Sequence, residues 1–156
     1  MKALLGIGTN IGDKLKNIDD ALASLSLVPD INVIRCSSVY DTAPWGYTEQ
    51  DNFYNVVCEV ETELTPNALL GVCLGIEAAM GRVRQFKNGP RIIDLDVLLC
   101  ENIVVDSKGG DWNCAVPVLD GLKVKYWSKK QNKEVELNLA DVVSAAGLSA
   151  GLQNDV

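Results

Sequence analysis

Two periods of hydrophobic spacing run through this chain, and the switches between them mark its elements. Lys2 to Gly8 is a short apolar run ending in glycines, the pattern of a strand buried on at least one face. Thr9 to Asp13 is turn chemistry. From Asp13 onward Leu15, Ile18, Leu22 and Leu25 fall on one helical face, with Lys14, Lys16, Asn17, Asp19 and Asp20 opposite, until Pro29 and Asp30 stop the helix. Ile31 to Tyr40 and Phe53 to Glu63 are rich in β-branched and aromatic residues and read as strands. The connection between them, Asp41 to Asn52, is long for a hairpin in a compact domain, and loops of that length commonly carry function.

A second helix opens with Thr65 as N-cap and Pro66 at the first helical position. Leu69, Cys73, Ile76 and Met80 repeat on one face, and Gly81 supplies the stop. Past a polar stretch, Ile92 to Cys100 reads as a strand, with Ile103 to Asp106 as its hairpin partner. The order is β-α-β-β-α-β, which predicts an α/β (α+β) ferredoxin-like sandwich, an antiparallel sheet with both helices on one face. Leu122 to Trp127 and Glu134 to Leu139 alternate around a polar turn and predict an extra C-terminal hairpin, with Asp141 capping a short last helix. Residues 107–121 show no period.

Composition narrows the function classes. A chain of 156 residues suits one domain, and 47% hydrophobic with 22% charged residues is ordinary for a globular protein. A net charge of −7 argues against duplex binding, which depends on cationic contacts to phosphate. Against that acidic background Arg82, Arg84, Lys87 and Arg91 form one basic cluster, suited to a small polyanion such as a nucleotide triphosphate. The five cysteines lack paired metal-ligand spacing and read as buried free thiols, and the absence of histidine excludes Cys/His zinc sites and histidine triads. Neither a secretory signal nor a membrane span is legible, so the cytoplasm is the expected compartment.

The sharpest local feature is Gly89 to Val97, Gly-Pro-Arg-Ile-Ile-Asp-Leu-Asp-Val. In a strand Asp94 and Asp96 project to one face while Ile93, Leu95 and Val97 project to the other. Two neighbouring carboxylates suit Mg²⁺, which takes oxygen ligands and is completed by water and substrate phosphates. The competing interpretation is an exposed strand face with two solvated acids. Like charges so close repel by about 1 kcal/mol or more unless a cation or strong donor intervenes. The neighbouring arginines are such donors, and guanidinium groups grip phosphate oxygens bidentately. Carboxylates for metal and arginines for phosphate are the parts of phosphoryl transfer.

The segment from Gly89 to Leu99, with the preceding Ile76 to Arg84, resembles the signature of the 6-hydroxymethyl-7,8-dihydropterin pyrophosphokinase family. The segments Gly6 to Asp13, Ser37 to Gly46 and Phe53 to Val57 are also similar to that family's pattern, in order over residues 1–106. The resemblance implies one pyrophosphokinase domain over 1–156, with a family-like core at 1–106 and a divergent segment at 107–156. It implies ATP as co-substrate and two Mg²⁺ ions on Asp94 and Asp96. Arg82, Arg84 and Arg91 are implied at the phosphates, and Glu77 on the nucleotide side. Thr42, Ala43, Trp45, Phe53 and Asn55 would line the pterin pocket, Phe53 by stacking and Asn55 through its amide. The expected partners are these two small molecules, with neither nucleic acid nor membrane, and the expected state is a monomer.

The chain departs from the family after the acidic strand. Val118, in Val116-Pro117-Val118, stands where the family carries a histidine, and no arginine follows it. Lys108, Lys123 and Lys125 are the candidates for replacement charge, and Tyr126 or Trp127 for a second stacking partner. Asn88 stands where the family often has an aromatic. These departures leave open a second function, a catalytically weakened paralogue that binds pterin or nucleotide, and a third, a ferredoxin-like interaction domain.

Overall fold

The computed structural model describes residues 1–81, 89–101, 123–128 and 130–154, with the side chains of 148–154 excepted. Within it run β1 (Lys2–Thr9), α1 (Lys14–Leu27), β2 (Ile31–Cys36), β3 (Tyr40–Thr42), β4 (Phe53–Thr62), α2 (Pro66–Ala79), β5 (Asp94–Cys100), β6 (Lys123–Ser128), β7 (Lys133–Asn138) and α3 (Leu139–Asn154). The principal sheet is antiparallel in the order β2-β4-β1-β5. Because β1 occupies one edge of β4, the short β3 shares the other edge with β2 and pairs beside Phe53 to Asn55.

The period of two decides what the sheet buries. On β1 Ala3, Leu5 and Ile7 point inward, and their partners Val60, Cys58 and Val56 on β4 point the same way. Ile18, Ala21 and Leu25 of α1 and Leu69, Val72, Cys73 and Ile76 of α2 complete this core. Burying each large aliphatic side chain contributes roughly 1.5–3 kcal/mol. The helix ends follow the local chemistry: the Asp13 carboxylate accepts from the Lys16 N–H, Thr65 Oγ1 accepts from the Ala68 N–H, and Gly81 takes φ +89° after α2.

Several expectations are corrected. The strand expected over Ile31 to Tyr40 is two strands, β2 ending at Cys36 and β3 starting at Tyr40. Ile92 and Ile93 precede β5 rather than belonging to it, although Ile93 is buried in the core. The last helix is not short: α3 has 16 residues. Its cap is Asn138, whose Oδ1 accepts from the Ala140 N–H (3.1 Å) and the Asp141 N–H (3.4 Å), so Asp141 lies inside the first turn. The C-terminal hairpin forms as β6 and β7, paired from Lys123 with Asn138 to Ser128 with Lys133. Of the five cysteines, Cys58, Cys73 and Cys100 are buried free thiols, whereas Cys36 is exposed. Cys114 and the strand expected at Ile103 to Asp106 lie outside the described residues.

Among the described residues, two contacts that hold the C-terminal elements to the core stand out. Leu139, at the start of α3, lies against α2 where Gly75 presents no side chain. The ribbon is held by Asp30, which follows α1: its buried carboxylate accepts from Tyr126 Oη (2.6 Å) and Ser128 Oγ (3.0 Å). Thr62 Oγ1 donates to the Asp30 carbonyl (2.6 Å), tying the end of β4 to the same point.

Candidate active site

Register along β1 builds the floor of the site. Gly8 is the partner of Asn55 on β4 and of Asp94 on β5, and Gly6 is the partner of Val57 and Asp96. Since Leu5 and Ile7 face the helices, Gly6 and Gly8 belong to the opposite face, together with Asn55, Asp94 and Asp96. The two carboxylates therefore share a face, as their spacing predicted. With no side chain at position 8, an open cleft of about 290 Å³ forms, lined by Gly8, Thr42, Ala43, Trp45, Phe53, Asn55, Arg91 and Asp94. Asp96 lies two residues further along the same strand face.

One wall belongs to β3 and β4. Thr42 pairs with Phe53 and Tyr40 with Asn55, so a three-residue strand places the start of the long loop over the cleft. Asn55 Nδ2 donates to Thr42 Oγ1 at 2.6 Å, which fixes the amide plane and leaves its carbonyl oxygen toward Gly8. Trp45 is 81% exposed, an uncommon cost for the largest apolar ring unless a ligand or partner covers it. Phe53 is not core: its ring faces the Arg91 guanidinium, 5.5 Å from the centroid.

The other wall is the segment entering β5. Arg91 Nη1 forms an ion pair with Asp94 Oδ2 at 2.9 Å, both side chains partly shielded from water. A guanidinium thus lies between an aromatic ring and a carboxylate and can offer its remaining N–H groups to an anion. Behind the strand Glu77 is 5% exposed, which excludes a solvated helix acid, and its Oε1 accepts from the Leu95 N–H at 2.6 Å. That bond fixes the backbone between the two aspartates.

Asn10 joins the two walls, a role that its position in the Thr9 to Asp13 turn does not reveal. It is almost fully buried; its Nδ2 donates to Gln50 Oε1 (2.8 Å) and the Asp51 carbonyl (3.0 Å), while its Oδ1 accepts from the Arg91 N–H (2.9 Å). Its own N–H donates to the Arg91 carbonyl at 3.1 Å. Thr9 Oγ1 bonds the Ile92 carbonyl alongside. On the other side Lys14 Nζ donates to the Asn52 carbonyl (2.9 Å) and lies 4.7 Å from the Tyr54 ring centroid.

The structure therefore gathers Thr42, Ala43, Trp45, Phe53, Asn55, Arg91 and Asp94 at one cleft, with Asp96 beside it. Arg82, Arg84, Lys87, Asn88, Lys108, Val116, Pro117 and Val118 lie outside the described residues. Tyr126 is not a stacking partner for the cleft. It is engaged with Asp30, past the C-terminal end of α1, whereas the cleft lies beyond the N-terminal end of that 14-residue helix, about 21 Å long. Lys123 and Lys125 are exposed on the ribbon, Lys123 paired with Glu136 at 3.5 Å. Among the described residues no helix is long and apolar enough to cross a membrane.

Paired strand carboxylates and a guanidinium beside an aromatic and amide cleft are the kind of groups that phosphoryl transfer employs. Over residues 4–132 the sequence matches the 7,8-dihydro-6-hydroxymethylpterin-pyrophosphokinase family. A 2-amino-4-hydroxy-6-hydroxymethyldihydropteridine pyrophosphokinase of Methylorubrum extorquens is 50% identical over 107 residues, 69% of this chain and 68% of the relative. The folic acid synthesis protein fol1 of Schizosaccharomyces pombe is 43% identical over 106 residues, 68% of this chain but only 14% of that longer protein. A pyrophosphokinase of Bacillus subtilis is 40% identical over 97 residues, 62% of this chain and 58% of the relative. The chain belongs to this pyrophosphokinase family, ATP-dependent transferases that pass pyrophosphate from ATP to a hydroxymethyldihydropterin in folate synthesis.

Proposed function

We propose that this chain performs the family's transfer at the cleft over Gly8, with residues 1–156 acting as one ferredoxin-like domain and as a monomer in the cytoplasm. The observation that carries the reading is the shared register of Asn55, Gly8 and Asp94, which sets an amide and a carboxylate on either side of a bare floor. A flat heterocycle with a polar edge fits there: Asn55 offers a carbonyl oxygen, Phe53 a ring face, and Thr42, Ala43 and Trp45 the enclosing loop. The hydroxymethyl arm of the pterin would then point toward Asp94.

The donor set suits magnesium. Among the described residues no three acidic, histidine or cysteine side chains cluster as a ready-made cage, but Mg²⁺ needs only one or two carboxylates when phosphates and waters supply the rest. Asp94 and Asp96 would hold two ions, which when bound neutralise the triphosphate and bring it to the hydroxymethyl oxygen. Arg91 clamps a phosphate while its ion pair orients Asp94. Glu77, proposed on the nucleotide side, acts through the Leu95 N–H by holding the strand beneath both carboxylates. Arg82, Arg84 and Lys108 are proposed as further phosphate contacts. Catalysis on this reading is positioning and charge neutralisation: the hydroxymethyl oxygen bonds the β-phosphorus and releases its proton to water, the bond from that phosphorus to the α–β bridging oxygen breaks so that AMP departs, and no protein nucleophile takes part.

A coupled AMP-release assay with Mg²⁺, run beside Asp96→Ala, tests this. AMP forms in the parent and almost none in the variant; equal rates would remove the metal assignment. Val118, in place of the family histidine, favours the weakened paralogue as the second reading. Calorimetry separates them: binding of both hydroxymethylpterin and a non-hydrolysable ATP analogue supports the enzyme, binding of pterin alone the module.

A further inference from the structure

Cys36 and Cys58 are directly opposed across β2 and β4. The next pair along is Ser37 with Val57, where the Ser37 N–H donates to the Val57 carbonyl at 2.8 Å and the Val57 N–H donates to Ser37 Oγ at 3.0 Å. Antiparallel pairs alternate, so a bonded pair at 37 and 57 makes 36 and 58 a non-bonded pair, the kind whose Cα atoms approach to about 4.5 Å and whose side chains lie closest. That separation falls inside the roughly 4.4–6.8 Å that a disulfide spans. One thiol is exposed and the other fully buried in the sheet core.

We propose that Cys36 and Cys58 form a redox-modification site, closing to a reversible intramolecular cross-strand disulfide on exposure to a peroxide. The order of events follows from access. Burial raises the Cys58 thiol to about 12, so it is a poor first attacker. Burial also raises Cys36, and the neighbouring Cys58 thiol works against that rise. The Cys36 thiolate attacks one peroxide oxygen, the O–O bond breaks, and hydroxide takes a proton to leave as water, giving the sulfenic acid. The Cys58 sulfur then attacks the Cys36 sulfur; the S–O bond breaks, the Cys58 proton goes to the departing hydroxide, and a second water leaves. Two thiols and one hydrogen peroxide become one disulfide and two waters.

The bridge would tie the end of an edge strand to the central β4, closing the segment that contains β3 and the cleft loop into a covalent ring. The test uses the full chain, reduced, treated with hydrogen peroxide, and mapped by mass spectrometry without reduction. We expect a peptide joining Cys36 to Cys58, an intact mass lower by two hydrogens, and recovery of both thiols with dithiothreitol. Cys36→Ser, at an exposed position that the fold tolerates, abolishes the linked peptide; Cys100→Ser leaves it. The proposal is overturned by a Cys36 sulfinic acid with Cys58 still a thiol. It is equally overturned by Cys36 joining any other cysteine, or by a bridge formed only between two chains.

Discussion

Gly8 and Asn55 face each other so closely that a Cβ on the glycine would lie 2.9 Å from the Asn55 Oδ1. That is inside ordinary contact, and Asn55 cannot retreat freely because its Nδ2 is bonded to Thr42. Gly8→Ala therefore turns the amide away from the cleft or shifts β1. Overpacking of this kind costs about 1–3 kcal/mol. We expect the KM for the pterin alcohol to rise at least about 10-fold, the equivalent of about 1.4 kcal/mol, with a smaller change for ATP. Initial-rate kinetics with each substrate varied in turn decides it, and equal effects on both substrates would place the damage elsewhere.

Arg91 is the residue through which both walls meet, touching Asp94, Phe53 and Asn10. Its contacts with Asn10 are made by the backbone, so a side-chain substitution leaves them in place. Arg91→Ala should lower kcat by roughly 10²–10³, the usual cost of removing one donor aimed at developing charge. Arg91→Lys keeps a charge but loses the planar fork and should recover only part of the rate. Single-turnover rates at saturating ATP provide the comparison.

The ribbon clasp has an alkaline signature. Tyr126 is held well above its ordinary 10.0 by burial first, then by its hydrogen bond to Asp30 and the charge of that carboxylate. Above pH 10 the unfolded chain loses this proton while the folded chain keeps it, so the unfolded state binds fewer protons and stability falls as pH rises. Below pH 10 both states are protonated and the contribution is intact. Tyr126→Phe should cost about 1–3 kcal/mol at neutral pH by leaving Asp30 under-bonded. Urea midpoints measured from pH 8 to pH 11 should fall less steeply for the variant than for the parent; parallel curves would contradict the assignment.

At the other pin, a Cβ on Gly75 would stand 1.8 Å from the Leu139 Cδ1. Gly75→Ala improves helix propensity yet forces α3 outward, and the steric term wins by about 1–3 kcal/mol. Leu139→Ala removes the obstacle but leaves a void, so the double variant should be more stable than the sum of the two single losses predicts. Chemical denaturation of the four proteins closes the cycle.

What could be read before the fold was known follows the range of the interaction. The faces of β1 and α1, the Thr65-Pro66 start of α2 and the common side of Asp94 and Asp96 are set by neighbours two to four residues away, and sequence spacing states them directly. The element order β-α-β-β-α-β is legible in the same way, whereas the strand order β2-β4-β1-β5 rests on pairings between distant residues. The role of Asn10 is not legible because its partners Gln50, Asp51 and Arg91 are about forty to eighty positions distant. Asp30 reads only as a helix stop for the same reason, since Tyr126 and Ser128 are almost a hundred residues away. The full length of α3 is not legible because small residues (Ala140, Ala145, Ala146, Gly147, Ala150 and Gly151) blur the contrast between its faces. The β2 and β3 segments carry a continuous strand composition, and only their end-to-end placement along β4 separates them.

Asn10 also limits how the neighbouring loop can evolve. That loop leaves the sheet at Thr42 and is caught again where Gln50 and Asp51 reach the asparagine amide. A rope moored at both ends can change colour along its middle but not its length. Exchanges at positions such as Trp45 would retune what the cleft admits, while a single inserted or deleted residue would pull the second mooring away from the segment that carries Arg91.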